Sequence, residues 1–190
     1  MTEKERADYH NMVAENIKKF GYHATFVFSD NLPSFCYSTG IFKSFQIPEL
    51  FISSLPENLS LDLTSKYVDR FKETTTIPLN KKIEDLSDRF AVFLVAASID
   101  KLKDYVLSSV KFYKSDKYKY LQLIYPDING YFPNEAGYDY DQEIIGEFKC
   151  WHFTAPNMRF AAMLAGRCCN QQQIFNQQRP QGDLYKFSLV

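Results

Sequence analysis

The stretch Leu121-Gln122-Leu123-Ile124-Tyr125-Pro126-Asp127-Ile128-Asn129-Gly130-Tyr131-Phe132-Pro133 constrains the fold more than any other part of this chain. An apolar run stops at Pro126, which has no N–H to give to a sheet ladder. Asp127, Asn129 and Gly130 are turn formers, and the chain restarts on aromatics before Pro133 stops it again. The segment therefore reads as a strand, a turn and a short aromatic restart.

The rest of the chain alternates between helical and extended periods. Tyr9, Val13, Ile17 and Phe20 share one helical face, and Gly21 is placed to end that helix. Residues 22–29 read as a central strand, because both of its faces are partly apolar. Residues 34–38 are close enough to form a hairpin with it, and 48–53 is a third strand before Pro56. A helix capped by Asn58 or Ser60 is expected to run to about Lys72, burying Leu63, Tyr67 and Phe71. Residues 78–88 read as a loop. Phe90 to Ala97 is the best candidate for a strand buried on both faces. One helix then follows, capped by Ser98 or Asp100, with Leu102, Val106, Val110 and Tyr113 on its core face. Beyond the opening motif, strands are expected over 118–125 and 147–153 and a helix over about 158–175. Residues 184–190 either close as a terminal strand or fray. No repeat or linker divides the chain, and the elements alternate unevenly. The expectation is an α+β fold, a single domain over 1–190 with a mixed, mostly antiparallel sheet packed with helices.

Charge and hydropathy exclude several function classes. The net charge is −1, so no broad basic field draws the chain to nucleic acid or anionic lipid. The longest apolar run, Phe90 to Ala97, falls short of the roughly 20 residues that cross a bilayer. Met1 to Arg6 lacks the apolar core of a signal peptide. A cytoplasmic protein without a membrane or nucleic-acid partner is expected. Tyr131-Phe132 and the lysines and aromatics of residues 113–120 are the stretches suited to stacking single-stranded nucleic acid. Cys36, Cys150, Cys168 and Cys169 form no C-x-x-C pair and are expected as free thiols.

The pieces Phe20-Gly21-Tyr22-His23, Pro33-Ser34-Phe35-Cys36-Tyr37-Ser38-Thr39-Gly40-Ile41 and Pro48-Glu49-Leu50 precede the opening motif in order. Together these residues, within about 9–133, resemble the bacterial family catalogued as domain of unknown function 4262. The family often carries Trp after the last proline of the motif, where this chain has Asn134. The resemblance implies a compact cytosolic α+β domain and no proven reaction. It also implies a loose association with small proteins found near secreted bacterial toxins. The C-terminal part, 134–190, is left unassigned.

Four constellations carry possible chemistry. His23 and Cys36 would form a base and thiolate nucleophile if adjacent strands placed them on one face. The alternative is a hydrogen-bonded histidine and a buried apolar cysteine. Cys150 and His152 with Cys168 and Cys169 lack the short spacing of structural zinc sites, and Asp139 to Glu143 lacks the glycine of a calcium loop, so no metal and no cofactor is expected. From Glu135 to Glu147 there are five carboxylates, no Lys or Arg, and Tyr138 and Tyr140 interleaved. Such a stretch suits a protein partner with a basic cleft, with Glu135, Tyr138, Asp139, Tyr140, Asp141 and Glu143 as contact residues.

Two readings follow. The first is a non-enzymatic binding module, most simply an immunity-type protein that neutralises a bacterial toxin domain. The second is a small enzyme or ligand binder with a pocket near His23, Cys36 and Asp127. The sequence leaves the oligomeric state open.

Overall fold

Alternating apolar residues on the strands meet amphipathic helices on both sides, and that burial organises the molecule. The computed structural model describes residues 2–28, 33–148 and 186–188. The elements are α1 (Glu3–Phe20), β1 (His23–Phe28), β2 (Phe35–Thr39), α2 (Ile41–Phe45), β3 (Glu49–Ser53), α3 (Glu57–Phe71), β4 (Lys82–Ile83), β5 (Val92–Ala97), α4 (Ile99–Leu102), α5 (Leu107–Tyr113), β6 (Tyr120–Ile124) and β7 (Lys186–Ser188). Among the described residues the strands form one sheet in the order β4-β5-β6-β3-β2-β1-β7. Every neighbouring pair is antiparallel except β3 and β6, which run parallel with Leu50 opposite Leu121. The fold is α+β with a mixed, mostly antiparallel sheet, as the sequence predicts. The predicted terminal strand forms over 186–188, where its backbone pairs with the edge of β1.

One sheet face carries Phe26, Cys36, Leu50, Ile52, Leu94, Leu121 and Leu123, and α3 lays Leu63, Tyr67, Val68 and Phe71 on it. The other face carries Val27, Phe35, Tyr37, Phe51 and Tyr120, packed with Leu102 and Val106. Each fully buried aliphatic or aromatic side chain contributes about 2 kcal/mol. The exposed pairs Lys66–Asp88 and Arg70–Asp85 are worth at most about 1 kcal/mol each. The two apolar layers therefore hold the sheet.

Local chemistry explains the element ends. Thr2 and Glu5 form a reciprocal capping box that starts α1, and Gly21 closes it at φ 87°. Tyr9, Val13 and Ile17 are buried as expected, but Phe20, the last residue of α1, is 57% exposed. The third helix starts two to four residues earlier than a cap at Asn58 or Ser60 predicts, with Pro56 at the N-cap and no side-chain cap.

The single helix expected after Phe90–Ala97 is two. The chain breaks at Val106 (φ −100°, ψ 49°), and α5 restarts with Ser108 and Ser109 buried. The break turns these hydroxyls onto the sheet, where they bond Tyr37 and Thr39, and leaves Val110 40% exposed. The short helix α2 and strand β4 have no counterpart in the sequence reading. Tyr131 and Phe132 form no strand, and 147–148 are not extended into one. The helix expected over 158–175, most of the strand expected over 147–153, and Cys150, His152, Cys168 and Cys169 lie outside the described residues.

Candidate functional site

The hairpin β1–β2 sets Phe26 opposite Cys36 and His23 opposite Thr39. Cys36 therefore shares a face with Phe26, while His23 points to the other side of the sheet. Cys36 is fully buried beneath α3, and burial pushes its thiol up to about 12, against a hydrogen bond from Thr64. His23 lies under α1, where Nδ1 is 3.0 Å from Asn16 Nδ2 and the ring meets Tyr9 edge-on. Burial lowers its pKa. Asp127 follows the far end of β6. The sheet thus puts His23 and Cys36, two residues of the second reading, on opposite faces, and the third, Asp127, lies beyond the end of β6.

The polar residues of the family-like motifs meet instead in a buried seam beneath α5. β2 and β3 part after the Tyr37–Phe51 pair, and Ser38 and Glu49 fill the gap. One Glu49 oxygen accepts from Gly40 N (2.8 Å), Phe42 N (3.0 Å) and the Tyr113 hydroxyl; the other accepts from Ser38 Oγ at 2.5 Å. Gly40 and Phe42 are the first amides of α2, so this carboxylate takes the place of an anion at a helix start. Around it, Ser109 bonds Thr39 (2.6 Å) and Tyr120 (2.7 Å), and Tyr37 donates to Ser108 (3.0 Å). Tyr37, Ser38, Thr39, Glu49, Ser108, Ser109 and Tyr120 are 0–4% exposed, so the seam is a structural network, with Phe42 and Tyr113 partly exposed at its margin.

The exposed residues of the expected contact stretch gather at the opposite, C-terminal end of the parallel pair β3 and β6. Asp127 organises the turn there. Its Oδ1 accepts from Asn129 N and Tyr131 N, both at 2.9 Å, and its Oδ2 accepts from Asp139 N at 3.0 Å. Burial raises the Asp127 pKa, but the amides of Asp139, Tyr131 and Asn129 outweigh it and hold the carboxyl below its ordinary value. Gly130 takes φ 88°, which the turn requires.

The acidic stretch is then stitched to the sheet through its backbone. Ser54 Oγ donates to Asp141 O (2.5 Å) and Ser53 Oγ to Glu143 O (3.0 Å). Buried Gln122 spans three groups: its amide donates to Glu143 O (2.5 Å) and its oxygen accepts from Ile145 N (2.8 Å) and Gly146 N (2.7 Å). Gly146 lies so close that an added Cβ would sit 2.5 Å from Val95 Cγ2.

This fixes which of the predicted contact residues face outward. Asp139, Tyr140, Asp141 and Glu135 are exposed. Tyr140 packs edge-on against Tyr125 and donates to Ser54 O, leaving the ring 40% exposed. The other two are turned inward: Glu143 accepts from Tyr105 OH (2.6 Å), and the Tyr138 hydroxyl is buried. Glu135 also accepts from Phe132 N (2.6 Å) in its own turn. Two residues of this surface were not among the predicted partner contacts. Ile128 is 91% exposed and Tyr131 45% exposed, beside Asp139 through the Asp127 turn. The signal was an isoleucine at the tip of a turn, where an apolar side chain has nothing to pack on.

The family described as Domain of unknown function (DUF4262) matches residues 16–139. The chain belongs to that family. The matched region includes Ser38, Gly40, Glu49, Gln122 and Asp127, which act on backbone or on buried or part-buried groups. It ends at Asp139, part-way along the exposed acidic surface. No curated protein and no solved structure matches the chain. Among the described residues of this DUF4262 member, no helix is long and apolar enough to cross a membrane.

Proposed function

We propose that this protein is a non-enzymatic cytoplasmic binding module of the immunity type. Its surface of Ile128, Tyr131, Asp139, Tyr140 and Asp141 docks on the basic cleft of a bacterial toxin domain and occludes it. The observation that carries this reading is the stitching of the 139–146 backbone to Ser53, Ser54, Gln122 and Asp127. A loop held this way has little freedom to lose on binding, so its exposed rings and carboxylates are preorganised for a partner. Tyrosines supply desolvated anchors, and the carboxylates speed encounter with a basic surface. The separation of His23 from Cys36 supports the same reading against the enzymatic one.

The test is affinity purification of the tagged chain from its native cells, with mass spectrometry of stoichiometric partners. One dominant protein partner is expected, and Asp139→Lys/Asp141→Lys should weaken its capture by at least about 100-fold, since like charges opposed across an interface cost several kcal/mol. Loss of function in Cys36→Ser or His23→Ala variants that fold normally, with the charge reversal harmless, would overturn the proposal.

A further inference from the structure

The N-terminal ends of β3 and β6 lie roughly 13 Å from the acidic surface, four residue steps along the strands. A groove of about 660 Å³ opens there, lined in part by Ile77, Leu79, Ile99, Tyr118 and Tyr120 and by the carboxylates Asp100 and Asp116. Its size is that of an ordinary small-molecule site.

Two features point to the kind of ligand. Tyr118 is 2% exposed, and its hydroxyl, which keeps contact with solvent, makes no hydrogen bond among the described residues, while neighbouring Tyr113 and Tyr120 both bond through theirs. The Tyr118 ring is fixed by stacking on Tyr113 at 4.3 Å, so the hydroxyl cannot swing to another partner. Burial, then the nearby Asp116 charge, push this hydroxyl up to about 12. Lys119 is the one cation among the lining residues, against Asp100 and Asp116. Lys119 is exposed, and its backbone oxygen is committed to Glu49 N at 2.8 Å.

We propose that this groove binds a small organic cation, a primary ammonium on a short apolar body. The ammonium donates to the Tyr118 hydroxyl and pairs with Asp116, beside aromatic rings that favour a cation. The apolar body lies along Ile77, Leu79 and Ile99. A carboxylate ligand would face two like charges, and a neutral ligand would leave the charge of Asp116 unused.

The probe is hexylamine, titrated into the ¹⁵N-labelled full chain at pH 7, with hexanol and hexanoate as matched comparisons. Hexylamine should shift the amides of Ala97, Ile99 and Lys119 saturably, with a Kd of roughly 1–10 mM for so small a ligand. Hexanol should bind about fivefold more weakly and hexanoate at least tenfold, the range expected for one partly exposed charge pair. Asp116→Asn, on an exposed loop, should bring amine and alcohol to within about twofold. Tyr118→Phe keeps the stacked ring and should weaken the amine about threefold or more. Asp139→Lys/Asp141→Lys should leave the titration unchanged, which separates this site from the acidic surface. The proposal is overturned if hexanol or hexanoate binds as tightly as the amine, if Asp116→Asn preserves the preference, or if no amide shift saturates by about 50 mM.

Discussion

Removing the Glu49 side chain is the sharpest test of how the seam works. In Glu49→Ala four donors lose their acceptor: Ser38 Oγ, Gly40 N, Phe42 N and the Tyr113 hydroxyl. Tyr113 is half-buried and can turn toward water, and the Ser38 hydroxyl can rotate. The two amides are fixed by the start of α2 and cannot. A stranded buried donor costs about 1–3 kcal/mol, and the missing methylenes leave a cavity worth about 1 kcal/mol more. Relief from burying a carboxylate offsets part of this. The expected loss is about 3–5 kcal/mol, read as a lower urea midpoint at unchanged slope.

Glu49→Gln behaves differently. Its oxygen keeps Gly40 and Phe42, and its amide donates to Ser38 Oγ, which retains Leu50 N as a second donor at 2.8 Å. A loss of about 1 kcal/mol is expected. The reasoning is refuted if the alanine variant loses under about 1 kcal/mol, or if glutamine costs as much as alanine. The two proteins also separate with pH. Burial holds the Glu49 carboxyl above its ordinary value of 4.5, against the Ser38, Tyr113, Phe42 and Gly40 hydrogen bonds. Between that value and the raised one the folded state binds more protons than the unfolded chain. Stability therefore falls as pH rises through this window. Subtracting the Glu49→Gln curve from the parent's should expose that slope.

Two further outcomes follow from the packing. Gly146→Ala drives a Cβ to 2.5 Å from Val95 Cγ2 and 3.1 Å from Ala96 O, so it should cost about 1–3 kcal/mol and speed hydrogen exchange at Ile145 and Gly146; a neutral effect would mean the stretch is not seated on the sheet. With its thiol pushed up to about 12, Cys36 should be carboxymethylated at pH 8 at least about 100-fold more slowly in the native protein than in urea, measured on its own peptide by mass spectrometry; rapid native labelling would contradict its burial.

Which parts of the structure were legible in the sequence has a physical explanation. Period-3.6 and period-2 patterns mark burial directly, so α1, α3, β1, β2, β3, β5 and β6 could be placed from residues such as Val13, Leu63 and Leu94. The break before α5 could not. Its cause is a set of side-chain partners about 70 residues away, Tyr37 and Thr39, which no local pattern encodes. The His23–Cys36 pairing failed for a similar reason. Both residues were correctly placed on adjacent strands, but face depends on register, and register depends on the whole hairpin. The acidic stretch was found by composition. Composition does not reveal that Tyr138 and Glu143 turn inward while Ile128 joins the exposed set, because the stitching residues Ser53, Ser54 and Gln122 lie on other elements.

The division of labour along the chain bears on where function resides. The motif residues Ser38, Gly40, Glu49, Gln122 and Asp127 spend their hydrogen bonds on backbone, on one another or, for Glu49, on the Tyr113 hydroxyl as well. Ile128, Tyr131, Asp139, Tyr140 and Asp141 make almost no side-chain bonds of their own and are held in place by those others. The family match stops at Asp139, and the stitched surface continues to Gly146. A scaffold that fixes backbone without constraining exposed side chains can change its partner by substitution at five or six positions, at little cost in stability. Two members of this family with the same stitching residues and different side chains at positions 128, 131 and 139–141 should therefore share a fold and differ in what they bind. Transplanting those five side chains should transfer partner choice, whereas altering Gln122 or Asp127 should weaken binding of every partner by loosening the loop that presents them.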